Sequence, residues 1–301
     1  MRPHRILCPV DFSNPSRRAL QHAAALASRD GAVLHVLHVA LAVPPVPLLM
    51  LAARPLTIDA AAGATAALQA FIARAALPRP PIAMVREGAP ADVILACAAS
   101  TAADLIVMGS HGRDGLGHLL FGSTAERVLH HAPCPTLIVP LHAEEPASVD
   151  GVRFACIVCA VDFSPASTRA LGLALSMADD HGAELTLLHV VDALADDELD
   201  GAVPAGVRAR IDDLTRAASE RLHAALPGET APGVGQARGS LREVVRYGRA
   251  AQVIPIEAGE RDADLIVMGA QGHRGLGLLG IGSTTHAVVC RAACPVLTAR
   301  P

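Results

Sequence analysis

The sequence predicts an α/β fold repeated twice, each copy a five-stranded parallel sheet covered by helices on both faces. Short apolar runs of strand length alternate with longer helical segments, which is the pattern of a helix-covered parallel sheet. The pattern then recurs along 301 residues, a length that suits two domains of about 150 residues. Cys8-Pro9-Val10-Asp11-Phe12-Ser13 returns 151 residues on as Cys159-Ala160-Val161-Asp162-Phe163-Ser164, and His38-Val39 returns as His189-Val190. Asp104-Leu105-Ile106-Val107-Met108-Gly109 returns 160 residues on as Asp264 to Gly269. Of the 50 positions from Gly88 to Leu137, 25 match their counterparts, which marks two copies of one domain. The change of offset places nine extra residues in the second copy, near 196–239. The domains are expected at 1–142 and 153–301, joined by a linker at 143–152 that carries Glu144-Glu145-Pro146 and Ser148.

In the first copy, 5–10 is an apolar strand, and 15–29 is a helix opened by Pro15 with Ser13 placed to cap it. A second strand covers 33–39, and an Ala-rich helix runs from about 58 to 76. The third strand is 82–86, Pro90 sits in the first turn of the next helix, and 105–108 is the fourth strand. Gly122-Ser123 opens the last helix, which reaches about 131, and 136–139 is the fifth strand. In the second copy the apolar run 154–161 is the first strand. Pro255 falls inside the third helix, where a proline should kink or shorten it. In open sheets of this kind a ligand sits beyond the carboxyl ends of the strands, where the strand order reverses.

Composition removes several chemistries. The chain has no lysine, and its 25 basic residues, all Arg, face 29 acidic ones for a net charge of −4. A Walker-type phosphate lysine, a lysine Schiff base and a kinase-type lysine are therefore excluded. One Tyr, no Trp and five Phe give no platform for base stacking, and the charge gives no basic face, so nucleic acid is not an expected partner. The longest apolar stretch, 33–53, carries His35, His38, Pro44, Pro45 and Pro47, which a membrane-spanning helix of about 20 apolar residues would not hold together. The apolar run 6–10 is shorter than a signal-peptide core of about 7–15 residues. The expectation is a soluble cytoplasmic protein. Seven Cys without framework spacing read as reduced thiols. Cys156 and Cys159 lie three apart on a strand and so face opposite sides, as core thiols rather than a redox pair. His35 and His38 face opposite ways for the same reason, against a shared metal, and no His-rich cluster joins Cys290 and Cys294 into a zinc site. His130-His131 ends a helix, where positive charge is favoured, and Asp196-Asp197-Glu198 reads as a solvated loop.

The segment richest in chemistry is Gly109-Ser110-His111-Gly112, nine residues, then Gly122-Ser123-Thr124. Its twin is Gly269-Ala270-Gln271-Gly272, nine residues, then Gly282-Ser283-Thr284. Each begins at a strand end and finishes at a helix start. Glycines let the backbone turn and approach a ligand closely, and the N–H groups and positive dipole end of a helix start suit phosphate. Turns and caps also need glycine, so the same residues fit a purely structural role. Asp11 and Asp162 end the first strand of each copy. They either cap the following helix or face the nucleoside part of a ligand in the same cleft.

These motifs resemble the universal stress protein family in a tandem two-domain form, and the resemblance covers nearly the whole chain. The family pattern G-x-x-G-x9-G-[ST] is intact in both copies, as in the ATP-binding subgroup. The resemblance implies Rossmann-like (adenine nucleotide alpha hydrolase-like) domains with strand order 3-2-1-4-5, and adenine lined by Pro9, Asp11 and Val39, or by Ala160, Asp162 and Val190. It implies ribose and phosphates held by Met108, Gly109, Gly112, Gly122, Ser123 and Thr124, or by Met268, Gly269, Gly272, Gly282, Ser283 and Thr284. Within the loops, Arg113 and Arg274 are candidate phosphate partners and Asp114 would repel a triphosphate. The second copy departs from the family at Ala160, where the first has Pro9.

Three classes of function stay open. The first is a regulatory or sensor protein of the stress response that binds ATP, with magnesium or manganese at the phosphates, and is read by another protein. The second is a slow ATP hydrolase, which needs an organised nucleophile, acid–base groups and cationic charge. His111 becomes Gln271 in the repeat, so no acid–base residue is common to both loops, and binding is favoured over catalysis. The third is an interaction protein without nucleotide. The fifth strands, 136–139 and 296–299, are apolar edges that need a partner; the resemblance implies that they pair with each other, which leaves further dimerisation open.

Overall fold

The computed structural model of the chain describes residues 1–40, 60–111, 121–141, 143, 152–191, 205–226, 240–272 and 282–300. The first half runs β1 (Arg5–Val10), α1 (Asn14–Asp30), β2 (Val33–Ala40), α2 (Ala60–Arg74), β3 (Ile82–Glu87), α3 (Pro90–Ser100), β4 (Leu105–Gly109), α4 (Ser123–His131) and β5 (Thr136–Val139). The second runs β6 (Cys156–Ala160), α5 (Pro165–His181), β7 (Glu184–Val191), α6 (Ala205–Ala224), β8 (Leu241–Tyr247), α7 (Ala250–Glu260), β9 (Leu265–Gly269), α8 (Ser283–Arg291) and β10 (Val296–Ala299). Among the described residues no helix is long and apolar enough to cross a membrane.

The ten strands of the described residues join one sheet of order β3-β2-β1-β4-β5-β10-β9-β6-β7-β8. Within each half the pairings are parallel. The halves meet through an antiparallel pairing of β5 with β10, in which Thr298 faces Thr136 and Leu297 faces Leu137. The Thr298 hydroxyl donates to the Thr136 carbonyl at 3.2 Å across this seam. Each fifth strand thus covers the other's edge. Alternation along the strands divides the core. Leu137 and Leu297 face the α1 and α5 side, while Ile138 and Val296 face the α3, α4, α7 and α8 side, so both apolar layers run unbroken across the seam.

Local chemistry sets the element ends. Ser13 and Ser164 cap α1 and α5, accepting from Ser16 N at 3.3 Å and Ser167 N at 3.2 Å, and Gly31 and Gly182 close the same helices in the left-handed conformation. Asp104 and Asp264, which precede β4 and β9, accept the amides at the start of the neighbouring strand: His4 and Arg5 in the first half, Ala155 and Cys156 in the second. The first strand of the second half, Cys156–Ala160, is shorter than the apolar run 154–161.

Pro255 does not shorten its helix, because α7 has the same 11 residues as α3. Proline cannot donate to the carbonyl four residues back, that of Ala251. The guanidinium of Arg291 on α8 reaches that carbonyl instead, Nη1 to O at 3.5 Å.

Candidate functional site

Each half gathers its candidate residues where the sheet order reverses, beyond the carboxyl ends of the first and fourth strands. In the first half β1 ends at Val10, and Asp11 leaves the sheet. Asp11 Oδ1 accepts from Ser13 N at 3.0 Å and Ser13 Oγ at 2.5 Å. In the second half Asp162 Oδ1 accepts from Ser164 N at 3.0 Å. Ser13 and Ser164 perform the helix capping, and the carboxylates brace the turn that presents them.

The residue after each aspartate is bent into the left-handed region, with φ 70° at Phe12 and 64° at Phe163. A bulky residue held there costs about 1–2 kcal/mol, so the surroundings must impose it. One side chain in each half contacts the chain on both sides of the bend. His38 Nδ1 donates to Val10 O at 2.9 Å while its ring stacks on Phe12 at 4.1 Å between centroids. His189 makes the corresponding contacts, at 2.7 Å from Val161 O and with its ring tilted 43° to that of Phe163 at 4.6 Å. The tautomer follows from the partner, since a carbonyl can only accept. This device was not read from the sequence. Its one signal there was the recurrence of His38-Val39 as His189-Val190.

The glycines divide by role. A Cβ on Gly109 would lie 3.0 Å from Pro15 C, and one on Gly269 would lie 2.9 Å from Ser167 N, so these two let the fourth strand pass under the first turn of α1 or α5. Gly272 lies directly over Asp162, where a Cβ would sit 2.5 Å from Oδ2. Gly122 and Gly282 cap α4 and α8, and no side chain caps either helix. Their own N–H groups donate back to Ser110 O at 3.0 Å and Ala270 O at 3.2 Å. The amides left to face an anion are those of the first helical turn, beginning with Ser123 and Thr124 or Ser283 and Thr284.

Of the other predicted residues, Val39 and Met108, with Ala160, Val190 and Met268 in the second half, lie on the α3 and α7 side of the sheet, an apolar floor next to the aspartates. Pro9 is buried opposite Leu37 in the same layer. Gly112, Arg113, Asp114, His273 and Arg274 lie outside the described residues, as do the acidic run Asp196-Asp197-Glu198 and most of the expected linker. Ser110 Oγ and His111 Nδ1 are 2.8 Å apart in the first half, a pair that Ala270 and Gln271 cannot repeat. Buried Cys159 has its thiol pushed up to about 12 by desolvation, and Cys8 is raised in the same way, so neither is a nucleophile. Among the described residues no three His, Cys, Asp or Glu side chains cluster to hold a metal ion.

The fold and these paired sites define a tandem Rossmann-like protein with a glycine-capped helix start in each half. The model of the universal stress protein family matches residues 3–140 and again 154–300, and the chain belongs to that family. A universal stress protein of Mycolicibacterium smegmatis is 30% identical over 203 residues, which is 67% of this chain and 64% of that protein. One from Mycobacterium tuberculosis is 30% identical over 201 residues, covering 67% and 63%. The chain thus spans less than two thirds of the length of these curated relatives. Among solved structures, a universal stress protein from Archaeoglobus fulgidus superposes over 100% of this chain and 99% of its own, with a TM-score of 0.65 at 23% identity, a likeness of fold.

Proposed function

We propose that each half binds an adenine nucleotide and that the chain is a cytoplasmic stress-response regulator or sensor rather than an enzyme. The observation that carries this reading is the convergence, in the second half, of Asp162, Gly272 and the cap of α8. A Cβ on Gly282 would have the Gly272 amide nitrogen and Thr285 Oγ1 each at 3.6 Å. A carboxylate that can accept from a nucleoside thus faces a close backbone approach and a helix start, which together fit ATP.

In this reading Asp11 and Asp162 face the nucleoside, with Pro9 and Val39 or Ala160 and Val190 beside the base. Met108 and Met268 lie below the ribose. The amides and hydroxyls of Ser123, Thr124, Ser283 and Thr284 take the phosphates, with Gly112, Arg113 and Arg274 completing the loops. Gly109 and Gly269 serve the site through space, by letting the strand end come close. Magnesium or manganese would ride on the phosphate oxygens. The two binding domains are 1–142 and 153–301. Binding is favoured over hydrolysis because the Ser110–His111 pair is confined to one half and efficient phosphoryl transfer needs more than positioning.

The test is direct. Protein purified without added nucleotide is denatured and its extract analysed, and ATP is titrated into nucleotide-free protein by calorimetry. Adenine nucleotide in the extract and a two-site isotherm are expected. An empty extract together with no heat of binding would remove the proposal.

A further inference from the structure

We infer that His38 and His189 are positioning residues for nucleoside recognition: each imidazole grips the chain on both sides of the site aspartate and so aims its carboxylate. This rests on the reading of Asp11 and Asp162 as the groups that face the nucleoside.

The grip is visible twice. The residue before Asp11 is Val10, the last of β1, and its carbonyl accepts from His38 Nδ1 at 2.9 Å. The residue after it is Phe12, whose ring lies on the His38 ring at 4.1 Å with 29° between planes. One imidazole therefore ends the strand with a hydrogen bond and supports the left-handed turn with a stack. Asp11 is the single residue between those two contacts. In the second half His189 holds Val161 O at 2.7 Å and Phe163 at 4.6 Å, with Asp162 between them.

The two halves share the Asp–Ser hydrogen bond and the Ser cap of this turn, but the second neighbour of each Phe ring differs, and the histidine is the ring contact they have in common. In the first half Phe71 of α2 packs edge-on against Phe12 at 5.4 Å. In the second Arg221 of α6 lies over the Phe163 ring at 4.0 Å. An aromatic neighbour on one side and a cation on the other leave φ at 70° and 64°, within a few degrees. The conserved geometry tracks the histidine, which comes from the neighbouring strand 28 residues from the carbonyl it holds.

A residue that aims a carboxylate should alter how the protein ranks ligands and not merely how stable it is. The experiment measures affinities for adenosine and for inorganic tripolyphosphate in wild type, in His38→Leu/His189→Leu and in His38→Asn/His189→Asn. Asn keeps a donor near the place of Nδ1. The Leu variant should shift the adenosine-to-tripolyphosphate affinity ratio by about tenfold against adenosine, the scale of one well-placed hydrogen bond. The Asn variant should recover most of that shift. Asp11→Asn/Asp162→Asn should produce the same shift, and adding the Leu changes to it should add nothing, since the histidines act through the aspartates. An unchanged ratio in the Leu variant, or full additivity with the Asp variant, would overturn the inference. Should the Leu variant not fold, nitrogen NMR of the wild type decides, because protonation at Nε2 in place of Nδ1 at His38 and His189 overturns it equally. Wild type that binds neither adenosine nor ATP would instead fail the nucleotide reading itself, whatever the variants do.

Discussion

Gly272 approaches Asp162 so closely that a Cβ added to the glycine would stand 2.5 Å from the carboxylate Oδ2. The obstructing atom is the end of a side chain, so Gly272→Ala is accommodated by swinging the carboxylate away from its position at Ser164. The glycine is exposed. The substitution therefore acts on the site more than on the fold. Calorimetric titration with ATP should lose the second-half site, with affinity there down by about tenfold or more, and retain the first; unfolding stability should change by less than about 1 kcal/mol. Two unchanged sites in the variant would contradict the convergence as a binding feature.

Gly109 and Gly269 should behave in the opposite way. The atoms a Cβ would meet there include backbone, Pro15 C at 3.0 Å and Ser167 N at 2.9 Å, and a helix turn does not yield as a side chain does. Each Gly→Ala change should cost about 1–3 kcal/mol, the usual penalty of overpacking. Gly282→Ala meets nothing closer than 3.6 Å, at an ordinary φ of −56°, and should cost at most about 1 kcal/mol as a poorer cap. Urea unfolding should show Gly109→Ala and Gly269→Ala each losing more stability than Gly282→Ala.

These glycines show what was legible in the sequence and what was not. Strands such as Leu105–Gly109 and Thr136–Val139 are buried on both faces and so appear as unbroken apolar runs. The spacing of the glycine motif marks the cleft, but it cannot separate a glycine needed for helix contact, such as Gly109, from one lying over a carboxylate, such as Gly272. That distinction depends on α1 or α5 and on the aspartate, which are brought there by the fold. The left-handed Phe12 and Phe163 were illegible for a stronger reason. Local preference argues against Phe in that conformation, and the ring packed on each Phe, His38 or His189, comes from the adjacent strand. Asp104 and Asp264 stand out in the sequence only as part of the repeat, and their work at the start of the neighbouring strand is a tertiary one.

The pairing of Pro255 with Arg291 predicts a coupled change in stability. Pro255→Ala restores the amide that Ala251 O lacks and removes a residue that costs about 3 kcal/mol inside a helix, against an unfolded-state entropy loss of about 0.4–1 kcal/mol. A net gain of about 2 kcal/mol is expected. Arg291→Ala should destabilise the wild type by about 0.5 kcal/mol, as the loss of one exposed hydrogen bond. In the Pro255→Ala background it should cost little, because the carbonyl then has a helical donor. A double-mutant cycle by urea unfolding measures this, and strict additivity would show that Arg291 does not stand in for the missing amide.

His181 predicts how stability depends on pH. It ends α5, accepts from Phe154 N at Nδ1 over 3.0 Å, and has Arg29 of α1 against Nε2, so it sits where the two halves meet. Burial first, and the charge of Arg29 after it, push its pKa down to about 3. The unfolded chain takes up this proton near pH 6.5, while the folded chain refuses it until about pH 3. Between those values the unfolded state binds more protons, so stability rises with pH, is present in full above 6.5 and falls away as pH drops toward 3. The slope for one such group is at most about 1.4 kcal/mol per pH unit. Urea unfolding at about pH 7 and about pH 5 should show the wild type losing up to about 2 kcal/mol more than His181→Asn, which keeps an acceptor for the Phe154 amide but carries no titrating ring. Other groups titrate alike in both proteins and cancel in the difference. Parallel losses in the two proteins would mean that His181 is protonated in the folded state at pH 5, and that the contact between Arg29 and α5 does not exclude the charge.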